Sequence, residues 1–227
     1  MSGIEITCAG QHFTVRPSGA LHWPAEGALV VGDLHLGRAE RLAREGASLL
    51  PPYETLDTLN RLEEEIAALG PRVVICLGDS FDDLKAADAM SHDLVLRIER
   101  LSAGRRWIWV AGNHDPGPVD LPGSHLAEHR IGPIVFRHIA EETLGANAAL
   151  GEVSAHYHPK ALLFRRGHRI SRRCCLVDAH RVILSAFGTY TGGLDARDPA
   201  FDGLMNGSSV ALLLGPRVTP VRRDRLG

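Results

Sequence analysis

Three apolar stretches of the sequence each end in a glycine followed by residues able to bind a cation: Gly32-Asp33-Leu34-His35, Gly78-Asp79 and Gly112-Asn113-His114-Asp115. Farther along come His138, closing another apolar run, and the pair His156 and His158. If the apolar stretches are strands of an open α/β sheet, their carboxyl ends form the crevice in which such sheets bind ligands. Glycine lets the chain turn sharply off each strand and leaves room for an ion. In an extended segment, the i, i+2 spacing of His156 and His158 puts both imidazoles on one face. Without His114, the inventory is Asp33, His35, Asp79, Asn113, His138, His156 and His158, which suffices for two metal ions. Mixed oxygen and imidazole ligation without thiolates suits Mn²⁺, Fe²⁺ or Zn²⁺ better than Ca²⁺ or an all-oxygen Mg²⁺ site. Taken singly, each fragment is as much a turn signal as a ligand signal. Their order within one chain is what points to metal.

Two such cations about 3.5–4 Å apart can hold a hydroxide between them and neutralise the charge of an attacked phosphate. His114, one residue past a candidate ligand, is placed to contact that phosphate and act as general acid for the leaving oxygen. Asp115, Asp82 or Asp83 could orient it, and the sequence does not choose among them. Arg38 follows the first cluster and either reaches a substrate phosphate with its forked donors or is a solvated charge in the first turn of a helix. The pairs Arg165-Arg166, Arg172-Arg173 and Arg222-Arg223 could line a nucleic-acid path, although such pairs more often mark solvated surface.

The elements that must position these residues are legible in the apolar pattern. Ile4–Thr7 and His12–Val15 alternate like a two-stranded ribbon around Gly10. Ala28–Val31, Val73–Leu77 and Arg106–Val110 read as strands, the first two continuous enough to be covered on both faces. Between them, Arg38–Glu45, Pro52–Leu69 and Ala86–Leu101 read as helices. The second carries an apolar stripe of Leu56, Leu59, Leu62, Ile66 and Leu69, and Gly70-Pro71 stops it. Residues 113–133 read as a long functional loop. Strand-like pieces follow near 133–139, 151–156, 174–177, 181–184 and 210–214, with few helices among them. Cys174 and Cys175 read as alternating strand residues, not ligands. The expectation is a layered α/β sandwich, one domain over residues 1–227.

Of the 227 residues, 44% are hydrophobic and 23% charged, ordinary globular usage that leaves no surplus for a long disordered tail. A net charge of -2 gives no overall positive field, so any nucleic-acid contact must be a local groove. Arginine greatly outnumbers lysine. The four cysteines form no CxxC pair, and the first residues carry neither a basic nor an apolar export signature. The thiols are expected reduced and the compartment cytoplasmic. No apolar run approaches the ~20 residues that span a bilayer, so no membrane association is expected.

The ordered set resembles the calcineurin-like metallophosphoesterase superfamily, whose pattern runs Asp-x-His, Gly-Asp, Gly-Asn-His, a single His and Gly-His-x-His. That resemblance implies an α/β/β/α sandwich in which Asp33, His35, Asp79 and His158 hold one ion and Asp79, Asn113, His138 and His156 the other, Asp79 bridging. Ala155 stands where the pattern has glycine. Residues 46–53 (GASLLPPY), 151–160 (GEVSAHYHPK) and 185–194 (SAFGTYTGGL) are further similar to the bacterial ligase-associated metallophosphoesterases, over nearly the whole chain. This implies a Mn²⁺-dependent phosphodiesterase, first of all an endonuclease on single-stranded DNA in DNA repair, with a DNA ligase and a helicase as partners. Phe187 or Tyr190 of the last stretch could stack on a base or simply pack a turn. The alternatives are a phosphodiesterase for cyclic nucleotides, a phosphomonoesterase, or a metal-bound scaffold of a repair complex.

Overall fold

The computed structural model describes residues 3–47, 50–142, 150–165 and 167–226. Two sheets pack face to face. The first has the order β1(Ile4–Cys8), β2(Gln11–Val15), β3(Leu21–Trp23), β4(Ala28–Gly32), β5(Val73–Leu77), β6(Arg106–Val110) and β7(Ser124–Leu126). Strands β1 to β4 pair antiparallel as a meander, and β4 to β7 run parallel. Parallel pairing needs crossovers. Two of the three crossovers are helical: α1(Arg38–Arg44) and α2(Glu54–Leu69) join β4 to β5, and α3(Leu84–Asp88) and α4(His92–Ser102) join β5 to β6, while residues 111–123 join β6 to β7 as a loop.

The second sheet is built from β8(His129–Ile131), β9(Ile134–Phe136), β10(Gly151–Ser154), β13(Arg181–Ile183), β12(His168–Val177), β14(Val210–Leu213) and β15(Thr219–Arg222), in that order, with β11(Lys160–Arg165) on the first half of β12.

Side-chain alternation explains the layers. Val30, Ile75 and Ile108 point inward to meet Phe136, Val153, Cys175 and Leu212 of the other sheet. Their neighbours Leu29, Val31, Val74, Cys76 and Trp109 point outward under the helices, where Leu59, Leu62 and Ile66 of α2 cover them. Burying each of those three is worth roughly 1.5–3 kcal/mol. Leu56 departs from the expected stripe and is 45% exposed, because the buried face of α2 runs through Thr55, Thr58, Leu59, Leu62 and Ile66 and the next residue after Thr55 is turned by roughly 100°. Cys174 and Leu176 lie on the far side of the second sheet from Cys175, packed with Phe201, Leu204 and Met205. Among the described residues this outer layer is loop and short 3₁₀ turns, including Pro199–Phe201, and no α-helix.

Three further expectations change. The helix read over Ala86–Leu101 is two helices, because Asp83 caps α3 through the Ala86 N–H and Ser91 has extended backbone at the start of α4. Residues 113–133 are not all loop: β7 closes the first sheet and β8 opens the second, so this stretch carries the chain across the sandwich. Strands β3 and β15, only three and four residues long, and β11, whose apolar Ala161–Phe164 run shows no alternation, are additions to the expected set. Among the described residues no helix is long and apolar enough to cross a membrane.

Candidate metal centre

The glycine-ended strands β4, β5 and β6 lie side by side in parallel register, so their carboxyl ends open on one crevice. Gly78 has φ +67°, and a Cβ there would fall 2.5 Å from the His138 ring. At Gly112 the conflict would be with the Asp79 backbone and carboxylate, at 2.1 and 2.2 Å. These glycines are the space into which candidate ligands pack. Ala155 fits for a related reason: its methyl faces Gly32, where a second Cβ would come within 2.5 Å.

The backbone is strained where the chemistry sits. Asp33, His35, Asp79, His156 and His158 all have positive φ, between 45° and 68°. For residues with a Cβ this conformation costs about 1 kcal/mol each, and such strain collects at functional sites. His156 and His158 therefore do not share a face by strand alternation, as the sequence suggested. β10 ends at Ser154, and the two imidazoles converge through a left-handed turn whose His156 N–H donates to both Asp33 carboxylate oxygens, at 3.2 and 3.1 Å.

All seven candidate ligands come together. One group contains Asp33, His35 and His158, with donor atoms within 4.8 Å of one another, and a second contains Asp79, His138 and His156 on the same criterion. His158 Nε2 lies 3.2 Å from Asp33 Oδ1 and 3.5 Å from His35 Nε2. Asn113 joins the second group, its Oδ1 3.0 Å from His138 Nε2.

The electrostatics of that second group call for a cation. His138 Nδ1 is 2.9 Å from the Leu77 carbonyl, an acceptor only, so Nδ1 carries the proton and the lone pair of the neutral ring is on Nε2. That nitrogen faces Asp79 Oδ2 at 3.3 Å, Asn113 Oδ1 at 3.0 Å and His156 Nδ1 at 3.2 Å. Two oxygen acceptors and an imidazole nitrogen face this lone pair, an arrangement that a proton or a metal ion relieves. Burial disfavours the His138 cation, but the Asp79 hydrogen bond and the Asp33 and Asp79 charges outweigh it and raise its pKa. Burial likewise opposes ionisation of Asp79, yet the His138 hydrogen bond and charge pull its carboxyl down to about 2. Burial and the neighbouring His138 lower His156. Harder oxygen and borderline nitrogen donors without sulfur fit divalent transition ions.

The acids weighed as orienters of His114 do other work. His114 Nδ1 lies 2.8 Å from the backbone carbonyl of Asp82, so Nδ1 donates and Nε2 is turned into the crevice, 4.0 Å from Asp79 Oδ2. The Asp82 carboxylate instead contacts His35 Nδ1 at 2.8 Å, off the best hydrogen-bond line, and accepts from Arg38 at 3.0 Å and Arg41 at 2.5 Å. Burial opposes its ionisation, but His35 and the arginines hold its carboxyl well below the usual range. A carboxylate behind a ligating imidazole fixes the ring and raises its basicity. Asp83 caps α3 and pairs with Arg44. Asp115 accepts the N–H groups of Asp79, Ser80, Phe81 and Gly112, tying the β5 and β6 ends together. Arg38 is thus not simply solvated: Asp82 engages it through Nη1, with the side chain still 22% exposed. Phe187 is fully buried beneath Arg61 and cannot stack on a base. Tyr190 is 47% exposed. The sequence signal for the Asp82 role was its place two residues past Ser80 in Gly-Asp-x-x-Asp, which spacing alone does not interpret.

Strand ends that gather carboxylates, an amide and imidazoles around two cation positions define a metal-dependent phosphoesterase. Residues 28–185 match the calcineurin-like phosphoesterase family, to which this chain belongs. The nuclease MPE of Pseudomonas putida superposes with a TM-score of 0.73 at 26% identity, covering 96% of this chain and 100% of that one. The phosphoesterase Yfce from E. coli aligns at 14% identity with a TM-score of 0.41, over 82% of this chain and 87% of its own. No curated protein matches the chain.

Proposed function

We propose that the protein is a two-metal phosphodiesterase acting as a Mn²⁺-dependent endonuclease on single-stranded DNA, working in cytoplasmic DNA repair beside a DNA ligase and a helicase. The carrying observation is the pair of adjacent donor groups, Asp33/His35/His158 and Asp79/His138/His156, with His114 Nε2 turned toward them. The residues fit Asp33, His35, Asp79 and His158 as one ligand set and Asp79, Asn113, His138 and His156 as the other. Bound there, two divalent ions supply an acidified water and neutralise phosphate charge.

The chain's own residues do the rest. Asp82 holds the His35 ring by Nδ1 and leaves Nε2 free to ligate. Leu77 does the same for His138. The Asp82 carbonyl takes the Nδ1–H of His114 and aims Nε2 into the crevice, so in the doubly protonated ring Nε2–H is the group that gives a proton to the departing oxygen. Arg38 and Arg41 keep Asp82 ionised. Polynucleotide as substrate is supported by the similarity to a protein named a nuclease and by the GASLLPPY, GEVSAHYHPK and SAFGTYTGGL stretches.

The test is Mn²⁺-dependent cleavage of circular single-stranded DNA, compared with an aryl phosphodiester and 2′,3′-cyclic nucleotides. Linearised circles are the expected product. Turnover of the small esters alone would replace this reading with that of a small-molecule phosphodiesterase.

A further inference from the structure

Residues 185–194 form a loop with two working sides. On one side it straps the metal centre: Gly188 N–H donates to the Asp33 carbonyl at 2.9 Å and Leu194 N–H to the Tyr157 carbonyl at 3.2 Å. On the other, Gly188, Thr189, Tyr190 and Thr191 wall a cavity of about 330 Å³ together with Asp57, Arg61 and Arg173.

The charge in this cavity does not balance. Among the described residues the Arg173 guanidinium bonds only to the carbonyls of Ala186 and Ser18, and Lys160, which is not part of the wall, donates through Nζ to the Thr191 carbonyl at 2.9 Å. Arg61 meets Asp57 at 3.2 Å and Thr189 at 2.8 Å. Among the described residues Asp57 is the single acid in the cavity wall; its side chain is 54% exposed, and it also accepts from Thr189. Among the described residues no hydrogen bond reaches Arg61 Nη1 or Arg173 Nε. Burial, and then the Arg61 charge, lowers Arg173. Burial and Arg173 lower Lys160, while Arg61 is lowered by burial in spite of Asp57. Guanidinium forks with open donors in a partly dry cavity bind phosphate oxygens well. At the rim, Tyr190 is held at φ +62° with an exposed ring, a surface on which a base can stack.

We propose that this cavity, walled by Arg61 and Arg173, holds a backbone phosphate of single-stranded nucleic acid flanking the phosphate that is cleaved. The inference rests on the nuclease reading and adds the register of the strand: it runs from the metal crevice over loop 185–194 toward α2. The small diester needs no such contact, which separates binding along the strand from chemistry.

The experiment compares Arg61→Gln, Arg173→Gln and Gly192→Asp with the unmodified protein, on a short fluorescein-labelled single-stranded DNA and on an aryl phosphodiester. A side chain at Gly192 meets nothing within 4 Å, so that variant keeps the fold while adding an opposing charge beside Thr191. Each variant should lose about tenfold in kcat/KM on DNA, as expected for one charged hydrogen bond. The arginine variants should also flatten the salt dependence of binding by about one unit of slope. Turnover of the aryl ester should stay unchanged. Equal loss on both substrates, or DNA turnover and salt slope unchanged in Gly192→Asp and in the folded arginine variants, overturns the assignment and leaves the nuclease reading standing. If the unmodified protein hydrolyses the aryl ester but neither binds nor cuts DNA, both fall together.

Discussion

Two buried clusters of charge in this molecule are built on opposite principles. In the second sheet, Glu152 and Arg181 are almost fully buried and 2.8 Å apart. Arg137 adds a second contact to Glu152 at 3.5 Å, and the Arg181 guanidinium also donates to the Leu204 and Glu141 carbonyls. Each charge there has an opposite partner, and the backbone around it is ordinary strand. At the carboxyl ends of the first sheet, Asp33, Asp79, His35 and His138 are buried and His156 and His158 half-buried, yet acceptors face acceptors and the backbone turns left-handed at five of the residues. A closed ion network completes itself; the strained cluster is completed by a cation from outside. Burial of charge alone does not mark a functional site, but buried charge that lacks its counterpart does.

The sharpest break of this comparison is Asp79→Ala. It should remove both bound metal and phosphodiesterase activity, the latter by at least about 10³-fold, because in the proposed ligand sets Asp79 is the carboxylate the two ions share. Metal content by elemental analysis, beside turnover of an aryl phosphodiester, reads both. Retained metal would show that Asp79 is not the shared ligand. His114→Ala should cost roughly 10²–10⁴-fold in kcat with metal content intact, since His114 belongs to neither proposed ligand set and its backbone N–H, which donates to Asp79 at 2.8 Å, is kept by alanine.

Glu152→Ala tests the other side. It leaves Arg181 buried without its partner and should destabilise the fold by roughly 3–5 kcal/mol, measured by urea unfolding, while the surviving folded protein keeps its metal and its specific activity. A loss of metal affinity instead would join the two clusters that the geometry separates. Asp82→Asn is expected to be milder still: metal affinity falls about 10–100-fold as the His35 ring loses its anchor, read by titration with Mn²⁺. Affinity should also fall with pH. The His138 pKa lies above the ordinary histidine value, so as pH drops through it a proton occupies the position the metal needs. An affinity independent of pH across that range would exclude His138 as a ligand.

The site was legible because residue type and local order carry its chemistry. Asp33, His35, Asp79, Asn113, His138, His156 and His158 could be picked out by their donor atoms and by the glycines at apolar strand ends. What their immediate neighbours do was not legible. Asp82, Asp83 and Asp115 are the same kind of residue within a short span, and three different tasks fall to them: clamping an imidazole and two arginines, capping a helix, and gathering four backbone N–H groups. For Asp82 and Asp115 those tasks are set by which groups pass nearby, and these come from 44 positions away for Arg38 and 36 for the Asp79 N–H. The same limit explains Phe187, whose ring looked available for stacking and lies under Arg61, and Leu56, which lies one residue off the buried face of α2.

The sequence by itself determined the layered α/β plan, the strands that end in ligands and the inventory of donors, because hydrophobic periodicity and side-chain chemistry are local properties. Only the tertiary structure decided how those donors divide into two groups, which tautomer each histidine holds, and where positive charge is left without a partner. Those outcomes depend on long-range approach: His158 reaches Asp33, and His138 reaches the Leu77 carbonyl, only after two sheets have packed and their strand ends have been drawn into one crevice.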